Sequence, residues 1–227
     1  MRRQCRVPKR RPRGDGSRGP RSSCPAPAPR SPPRSLHPLR SLPSSSRPTR
    51  RRAAETKADG SPVTKADHAA EAILLAEIAT LAPSIQIISE ENVVSHNLAA
   101  SQEFFLVDPL DGTKEFIKAC GDGAFTINIG LIRNAEPVMG IVFAPALDRL
   151  FFGSLGNGAF EISGGICRQI CVRRPPAEGP VAVASASHRD AQTNQWLEKR
   201  GITKFIAIGS SLKFCLIAAG EADLYPR

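Results

Sequence analysis

A chain of 227 residues with a formal net charge of +10 would suggest a basic protein, but the charge is unevenly spread. Residues 1–52 hold 16 of the 31 Lys and Arg and a single acid, Asp15, so they carry +15; the remainder sets 15 Lys and Arg against 20 acids and carries −5. An argument for nucleic-acid binding would rest wholly on the first segment, no run reaches the ~18 apolar residues of a membrane span, and no apolar stretch follows the charged start as a secretory signal would require.

Residues 1–52 are rich in Arg, Pro and Ser and contain 11 of the 20 prolines. They lack apolar periodicity and cannot bury a core. Pro25, Pro27, Pro29, Pro32 and Pro33 would break any helix there. Three readings compete: a disordered basic arm touching anionic partners, including peripheral association with a membrane surface; an organelle transit peptide; or a mis-assigned start in front of a real domain, which is preferred. The other residues suit one domain or two small lobes, divided as 53–175 and 176–227. Cys5, Cys24, Cys120, Cys167, Cys171 and Cys215 show no zinc spacing, so reduced cysteines in a cytoplasmic protein are expected.

In chain order, Ser61-Pro62-Val63-Thr64 leads into a helix. Thr64 followed by Asp67 reads as a capping box, Ala70, Ile73, Leu74, Ile78 and Leu81 fall on one face, and Pro83 ends the helix. A strand over Ile85–Ile88 delivers Glu90 and Glu91, and a loop with Val93, Val94 and His96 leads to a strand over Phe104–Val107. Asp108-Pro109-Leu110-Asp111-Gly112-Thr113 reads as a Pro/Gly turn, with Lys114–Ala119 a short helical stretch. Strands follow over Ala124–Ile132, where Phe125, Ile127, Ile129 and Leu131 alternate, then Val138–Phe143, Leu150–Phe152, Ala159–Ile162 and Cys167–Val172. Asn157-Gly158 marks a hairpin. The last section alternates: strand Val181–Ala184, helix Gln192–Lys199, strand Phe205–Ile208, helix Leu212–Ala219, and a final strand cut at Leu224–Arg227. The pattern predicts a layered α/β fold with a mostly antiparallel first sheet and a second α/β lobe.

The chemistry gathers after two strands. Asp108 and Asp111, three apart around a turn, can converge on one cation, with the Leu110 carbonyl as a third oxygen. Glu90 and Glu91 end the preceding strand, and ligands collect at the carboxyl ends of strands in open α/β sheets. Mg2+ binds through one or two carboxylates plus substrate phosphate, so the cluster reads as a metal-dependent phosphate site. A plain turn is the competing reading of Asp108–Asp111. Thr113 can orient a water or cap the following helix. Asp67 can pair with Thr113 or serve only the capping box.

The segments Lys57–Asp67, Ser89-Glu90-Glu91 and Asp108–Phe116 resemble the inositol monophosphatase superfamily of lithium-sensitive, magnesium-dependent phosphomonoesterases. Lys114-Glu115-Phe116, Ser187-His188, Gly209–Lys213 and Tyr225-Pro226-Arg227 are similar to its 3'(2'),5'-bisphosphate nucleotidase branch. The resemblance covers about 57–227. It implies a sugar-phosphatase-like αβαβα sandwich and two or three Mg2+ ions. It implies metal ligands Glu90, Asp108, the Leu110 carbonyl and Asp111; a catalytic set of Asp67, Thr113 and Glu90; and a phosphate cradle from the Gly112 and Thr113 amides. Ser210, Lys213, His188 and Arg227 would contact the nucleotide and its second phosphate; read without the resemblance, Lys213 is a solvated helix residue and His188 a loop residue. The implied substrate is a small nucleotide bisphosphate, with adenosine 3',5'-bisphosphate cleaved to AMP and phosphate in a clean-up step of sulfate assimilation; no specific nucleic acid is expected. Inositol-phosphate or sugar-phosphate hydrolysis on the same site and an inactive pseudoenzyme are the alternatives.

Two departures qualify this. The family opens with a long helix before Lys57, where this chain has the Arg/Pro segment. It also closes its site with a Trp-Asp segment whose Asp is a further ligand, whereas Trp196, the only Trp here, is followed by Leu197. The expectation is a second lobe incomplete at its C-terminal end, a weakened second metal site and impaired activity.

Overall fold

The computed structural model describes residues 54–56, 62–99, 101–117, 123–185 and 190–226. Strand β1 (Ala54–Thr56) pairs antiparallel with β2 (Pro62–Thr64). Helix α1 (Lys65–Leu81) follows, opened by the expected capping box: the Thr64 hydroxyl accepts the Ala66 N–H, and Asp67 accepts from Thr64. The helix ends at Leu81, just ahead of Pro83, which cannot continue it.

A seven-stranded sheet dominates the fold, in the order β3 (Gln86–Ser89), β4 (Glu103–Asp111), β5 (Thr126–Arg133), β6 (Glu136–Ala144), β7 (Arg149–Ser154), β8 (Gly158–Ser163) and β9 (Ile166–Ile170). Only β3 and β4 run parallel; every later pair is antiparallel. Between β3 and β4 lies a one-turn helix, α2 (Val93–His96), capped by Asn92, where the sequence suggested a plain loop. Helix α3 (Thr113–Ile117) follows β4. A parallel pair, β10 (Val181–Ser185) and β11 (Lys204–Ile208), is connected through α4 (Ala191–Lys199). Helix α5 (Leu212–Ala218) follows. The strand expected at Leu224 is a single parallel bridge to Ala182.

Three packed cores define the layers. Ile78 of α1 meets Phe105 and Val107 on one face of the large sheet, with Leu74, Ile129, Leu131 and Met139 around them. On the opposite face, Phe151, Ala144 and Ile170 pack with Leu212, Cys215 and Leu216 of α5 and with Val183 of β10. The alternate β10 residue, Ala182, points the other way, onto Leu197 of α4. With its period of two, β10 thus serves helices on both sides. The order is α1, large sheet, α5, small sheet, α4, the five-layer sandwich that the resemblance implies.

Two expectations need correction. The apolar face drawn for α1 is too wide: Ile73 and Leu81 are 66% and 81% exposed. At ~100° per residue, Ile73 sits on the far side of the helix from Ile78, and Leu81 ends the helix in solvent; the inward stripe is Asp67 and Ile78, buried, with Glu71 and Leu74 half-buried between them. The other correction concerns Asp108–Asp111, which is not a tight turn. β4 runs through it, pairing Asp108 with Asn128 and then Asp111 with Thr126. Three steps on β4 match two on β5, which is a one-residue bulge. Pro109 has no N–H for the ladder and is fully buried within the bulge.

Ion pairs fasten the far end of the sheet to the segment after α5. Glu161, only 2% exposed, accepts from Arg149 (2.6 Å) and Arg168 (2.8 Å), and Arg149 also reaches Glu221. Arg173 bonds Asp223 (2.9 Å), whose other oxygen takes the Val181 N–H (2.7 Å). Among the described residues no helix is long and apolar enough to cross a membrane, and Cys167, Cys171 and Cys215 are free thiols.

Leu212 is completely buried between the two sheets. Leu212→Ala should therefore lower unfolding free energy by about 3 kcal/mol, read from urea denaturation. A loss below about 1 kcal/mol would mean that α5 does not fill the interlayer core.

Candidate active site

The bulge determines which way the acids point. Residues three apart in a regular strand face opposite sides of the sheet. With one residue looped out, Asp108 and Asp111 align with Asn128 and Thr126, which are two apart on β5 and so share a face. Both carboxylates therefore lie on the face that α5 covers farther along the sheet.

Asp108 Oδ1 accepts the Leu110 N–H (3.1 Å) and Oδ2 accepts the Asn128 amide (3.2 Å). Burial, then the charges of Glu90 and Asp111, push its pKa up to about 7, against the pull of those two donors. Burial also raises Asp111, opposed by the Ser211 N–H and the Lys213 charge and reinforced by Glu90 and Glu115. The Ser211 amide is 2.5 Å from Asp111 Oδ2. Glu90 is exposed, and its N–H donates to the Val107 carbonyl (2.9 Å), which fixes the chain where β3 leaves the sheet. Asn128 and Ser211 join β5 to the residue before α5: the Ser211 hydroxyl donates to Asn128 Oδ1 (2.5 Å) and lies 2.8 Å from the Thr126 hydroxyl.

Asp67 is completely buried and takes both parts left open for it. Its Oδ2 accepts the Thr64 N–H (2.8 Å) and hydroxyl (2.6 Å), while Oδ1 is 3.3 Å from the Thr113 hydroxyl. Thr113 is the first residue of α3 rather than its cap, and its hydroxyl also lies 3.3 Å from the Leu110 carbonyl. One hydroxyl carries one proton, so it serves Asp67 or Leu110 at a given moment. Gly112 has φ +93, and a Cβ there would stand 3.1 Å from the Ala124 carbonyl and 3.2 Å from Ser210 Cβ. Only glycine combines that left-handed backbone with that close approach.

Lys213 is 8% exposed, so it is not a solvated helix residue. Its Nζ donates to the Ser210 carbonyl (2.6 Å) and stands 5.5 Å from the Tyr225 ring centroid. Ser210 is itself buried and holds a positive φ of 52, a conformation uncommon outside glycine. His188 and Arg227 lie outside the described residues. A groove of about 460 Å³ opens beside Glu90 and Asp108, lined also by His96, Asn128 and apolar residues of β4–β6.

Asn128 and Ser211 were not singled out from sequence. The signal for Asn128 was present: Ile127, Ile129 and Leu131 set one phase of β5, and a polar side chain at the other phase, beside Thr126, must face the acids.

The donor set fits a hard divalent cation. Glu90, Asp108 and Asp111 supply oxygen only, and their mutual repulsion is what a positive charge between them would relieve. Among the described residues no three His, Cys, Asp or Glu side chains already close around a metal-sized space.

An acidic, oxygen-lined edge on a five-layer α/β sandwich is the class of site that takes a cation together with a phosphate group. The chain belongs to the inositol monophosphatase family, whose pattern matches residues 42–227. It is 44% identical over 173 residues to the 3'(2'),5'-bisphosphate nucleotidase CysQ of Escherichia coli O6:H1, covering 76% of this chain and 68% of that protein. To the enzyme of the same name from Salmonella typhimurium it is 45% identical over 172 residues, 75% of this chain and 68% of the relative. Its structure is similar to CysQ from Bacteroides thetaiotaomicron (TM-score 0.61, 35% identity, 75% of this chain and 69% of that one). It is also similar to an IMPase of Thermotoga maritima (TM-score 0.65, 26% identity, 76% and 65%).

Because the Asp108 carboxyl holds its proton more tightly folded, near pH 7, than at its ordinary value of 3.8, its contribution to stability is full at acid pH and is lost as pH rises through 7. In the cation-free protein the thermal midpoint should fall between pH 5 and about pH 7.5. Asp108→Asn should flatten that slope, and cation addition near pH 7 should release protons. An unchanged slope in the variant would show that Asp108 is ionised throughout.

Proposed function

We propose that this phosphoric monoester hydrolase removes one phosphate from a nucleoside 3',5'- or 2',5'-bisphosphate, taking adenosine 3',5'-bisphosphate to AMP and phosphate, with Mg2+ at the acidic edge. The observation that carries the choice of substrate is Lys213. A buried ammonium, pinned by the Ser210 carbonyl at 2.6 Å and close enough to Asp111 to lower its pKa, is a second cationic point for a second phosphate. A substrate with one phosphate has no need of it. The similarity to 3'(2'),5'-bisphosphate nucleotidases supports the same reading.

Glu90, Asp108, Asp111 and the Leu110 carbonyl would hold the cation, which when bound lowers the pKa of a water and offsets charge on the phosphoryl oxygens. The Thr113 hydroxyl would give its one proton to Asp67 Oδ1, 3.3 Å away, and leave its lone pairs to the attacking water. Asp67 is held in place by the Thr64 N–H and hydroxyl bonds on its other oxygen. The water oxygen would attack phosphorus in line as the bond to the ribose oxygen breaks; the water's proton passes to Thr113 Oγ as the Thr113 proton moves to Asp67 Oδ1, and the departing oxygen takes a proton from solvent water to become the AMP hydroxyl. The Gly112 and Thr113 amides would receive the phosphoryl oxygens, with Ser210, Lys213, His188 and Arg227 on the nucleotide side. No covalent intermediate with the protein is required.

A second reading, hydrolysis of an inositol or sugar monophosphate on the same carboxylates, is favoured by the backbone match to the Thermotoga maritima IMPase. Lys213→Met keeps the aliphatic stem and removes the charge. It should cut kcat/KM for adenosine 3',5'-bisphosphate about tenfold more than that for inositol 1-phosphate, since any effect through Asp111 falls on both substrates. Phosphate release from the bisphosphate should need Mg2+ and be suppressed by Li+. Equal losses on both substrates would favour the monophosphatase reading, and no Mg2+-dependent release from either would overturn both.

A further inference from the structure

Helix α1 sends two acids toward the sheet. Asp67 and Glu71 are four apart and so lie one turn from each other on the stripe that continues into Leu74 and Ile78. Asp67 is accounted for above; Glu71 is not. Its Oε1 accepts the Ser89 hydroxyl at 2.5 Å, across 18 positions of sequence.

Ser89 is the last residue of β3, is 1% exposed and immediately precedes Glu90. Its polar groups are all engaged. The N–H donates to Ser95 Oγ (3.1 Å), and the carbonyl takes His96 Nε2–H (2.7 Å) and the Asn92 N–H (3.2 Å). The next N–H, that of Glu90, is tied to the Val107 carbonyl of β4. The peptide that launches Glu90 is thus held by α2 and β4, and the side chain before it by α1.

We infer that Glu71 is a positioning residue for the cation site: through the Ser89 hydroxyl it fixes the direction in which β3 delivers Glu90 to Asp108. The inference rests on reading Glu90 as a cation ligand. A carboxylate that accepts from a serine hydroxyl at this distance removes the rotamer freedom of that serine and anchors its backbone to α1. An outer partner of this kind typically governs metal affinity by about 10–100-fold. Mere adhesion of α1 to β3 would instead show in overall stability alone, and Ile78 on Phe105 and Val107 already supplies that adhesion.

The test is calorimetric titration of the whole chain with Mn2+, for the wild type, Glu71→Ala, Glu71→Gln, Ser89→Ala and, as a control on the same helix, the exposed Glu77→Gln. Glu71→Ala and Ser89→Ala should weaken Mn2+ binding about tenfold or more. Glu71→Gln should stay within about threefold of wild type, because its side-chain carbonyl still accepts the Ser89 proton, and Glu77→Gln should not change. Wild-type affinity in both Glu71→Ala and Ser89→Ala overturns the inference. So does a Glu71→Gln as weak as Glu71→Ala, which would make the effect one of charge rather than position. A wild-type chain that takes up no Mn2+ removes the underlying reading of Glu90 and the inference with it, an outcome distinct from the other two because it precedes any substitution. Should Glu71→Ala not fold, Ser89→Ala and Glu71→Gln carry the comparison.

Discussion

One extra residue in β4 decides where the acids of this protein meet. A strand repeats every two residues, so carboxylates at 108 and 111 would otherwise lie on opposite faces of the sheet. The bulge at Pro109 and Leu110 cancels that offset and turns both onto the face shared by Asn128 and Thr126. Its cost is electrostatic. Burial of Asp108 first, and the charges of Glu90 and Asp111 second, push its pKa up to about 7. The neighbouring groups reduce this cost: the Leu110 N–H and Asn128 amide donate to Asp108, the Ser211 N–H donates to Asp111, and the Lys213 charge acts on Asp111.

Half of those groups come from α5 and the residue before it, which makes the site dependent on the core between the layers. Leu212, Cys215 and Leu216 hold α5 between the two sheets, and the residues flanking Leu212 are Ser211 and Lys213. A helix register that buries Leu212 therefore brings both the Ser211 amide and the ammonium to Asp111. The approach is close: a Cβ at Gly209 would stand 2.7 Å from the Glu115 side chain and 3.1 Å from the Ala124 carbonyl, so any other residue there would force Glu115 to move. The ion pairs of Arg149 with Glu161 and Glu221 hold the other end of this segment against β7 and β8.

Much of this was legible in the sequence, for reasons that differ by element. The alternation in β5, the positions of β6 to β8 and the Thr64–Asp67 capping box are local patterns, and they survive in the structure. The acidic cluster was legible because two strands end in carboxylates. What was not legible depends on distance in sequence. Whether Asp108–Asp111 is a turn or a bulge depends on how β5 pairs beside it, and a tetrapeptide of turn-forming residues suits both. Asn128, Ser211 and the Glu71–Ser89 contact matter only because strands and helices far apart in sequence pack together. The burial of Lys213 follows from the position of α5 between two sheets, and nothing in its neighbours along the chain distinguishes it from a solvated lysine.

Helix α1 shows how one packing event sets both stability and chemistry. Its inward stripe grades from acid to aliphatic: Asp67 onto Thr113, Glu71 onto Ser89, then Leu74 and Ile78 onto the sheet. The apolar half supplies the driving force, since a helix of this length is only marginally stable without tertiary contacts. The polar half has no freedom of its own, because a shift of one residue turns the stripe by ~100° and would take both acids off their partners while exposing Ile78. The first turn is fixed in addition by the capping box, in which Asp67 holds Thr64 with one oxygen and faces Thr113 with the other. A carboxylate used in this way cannot reorient without uncapping its own helix. The geometry at Thr113 is therefore protected by the free energy of helix formation rather than by a contact made for that purpose alone.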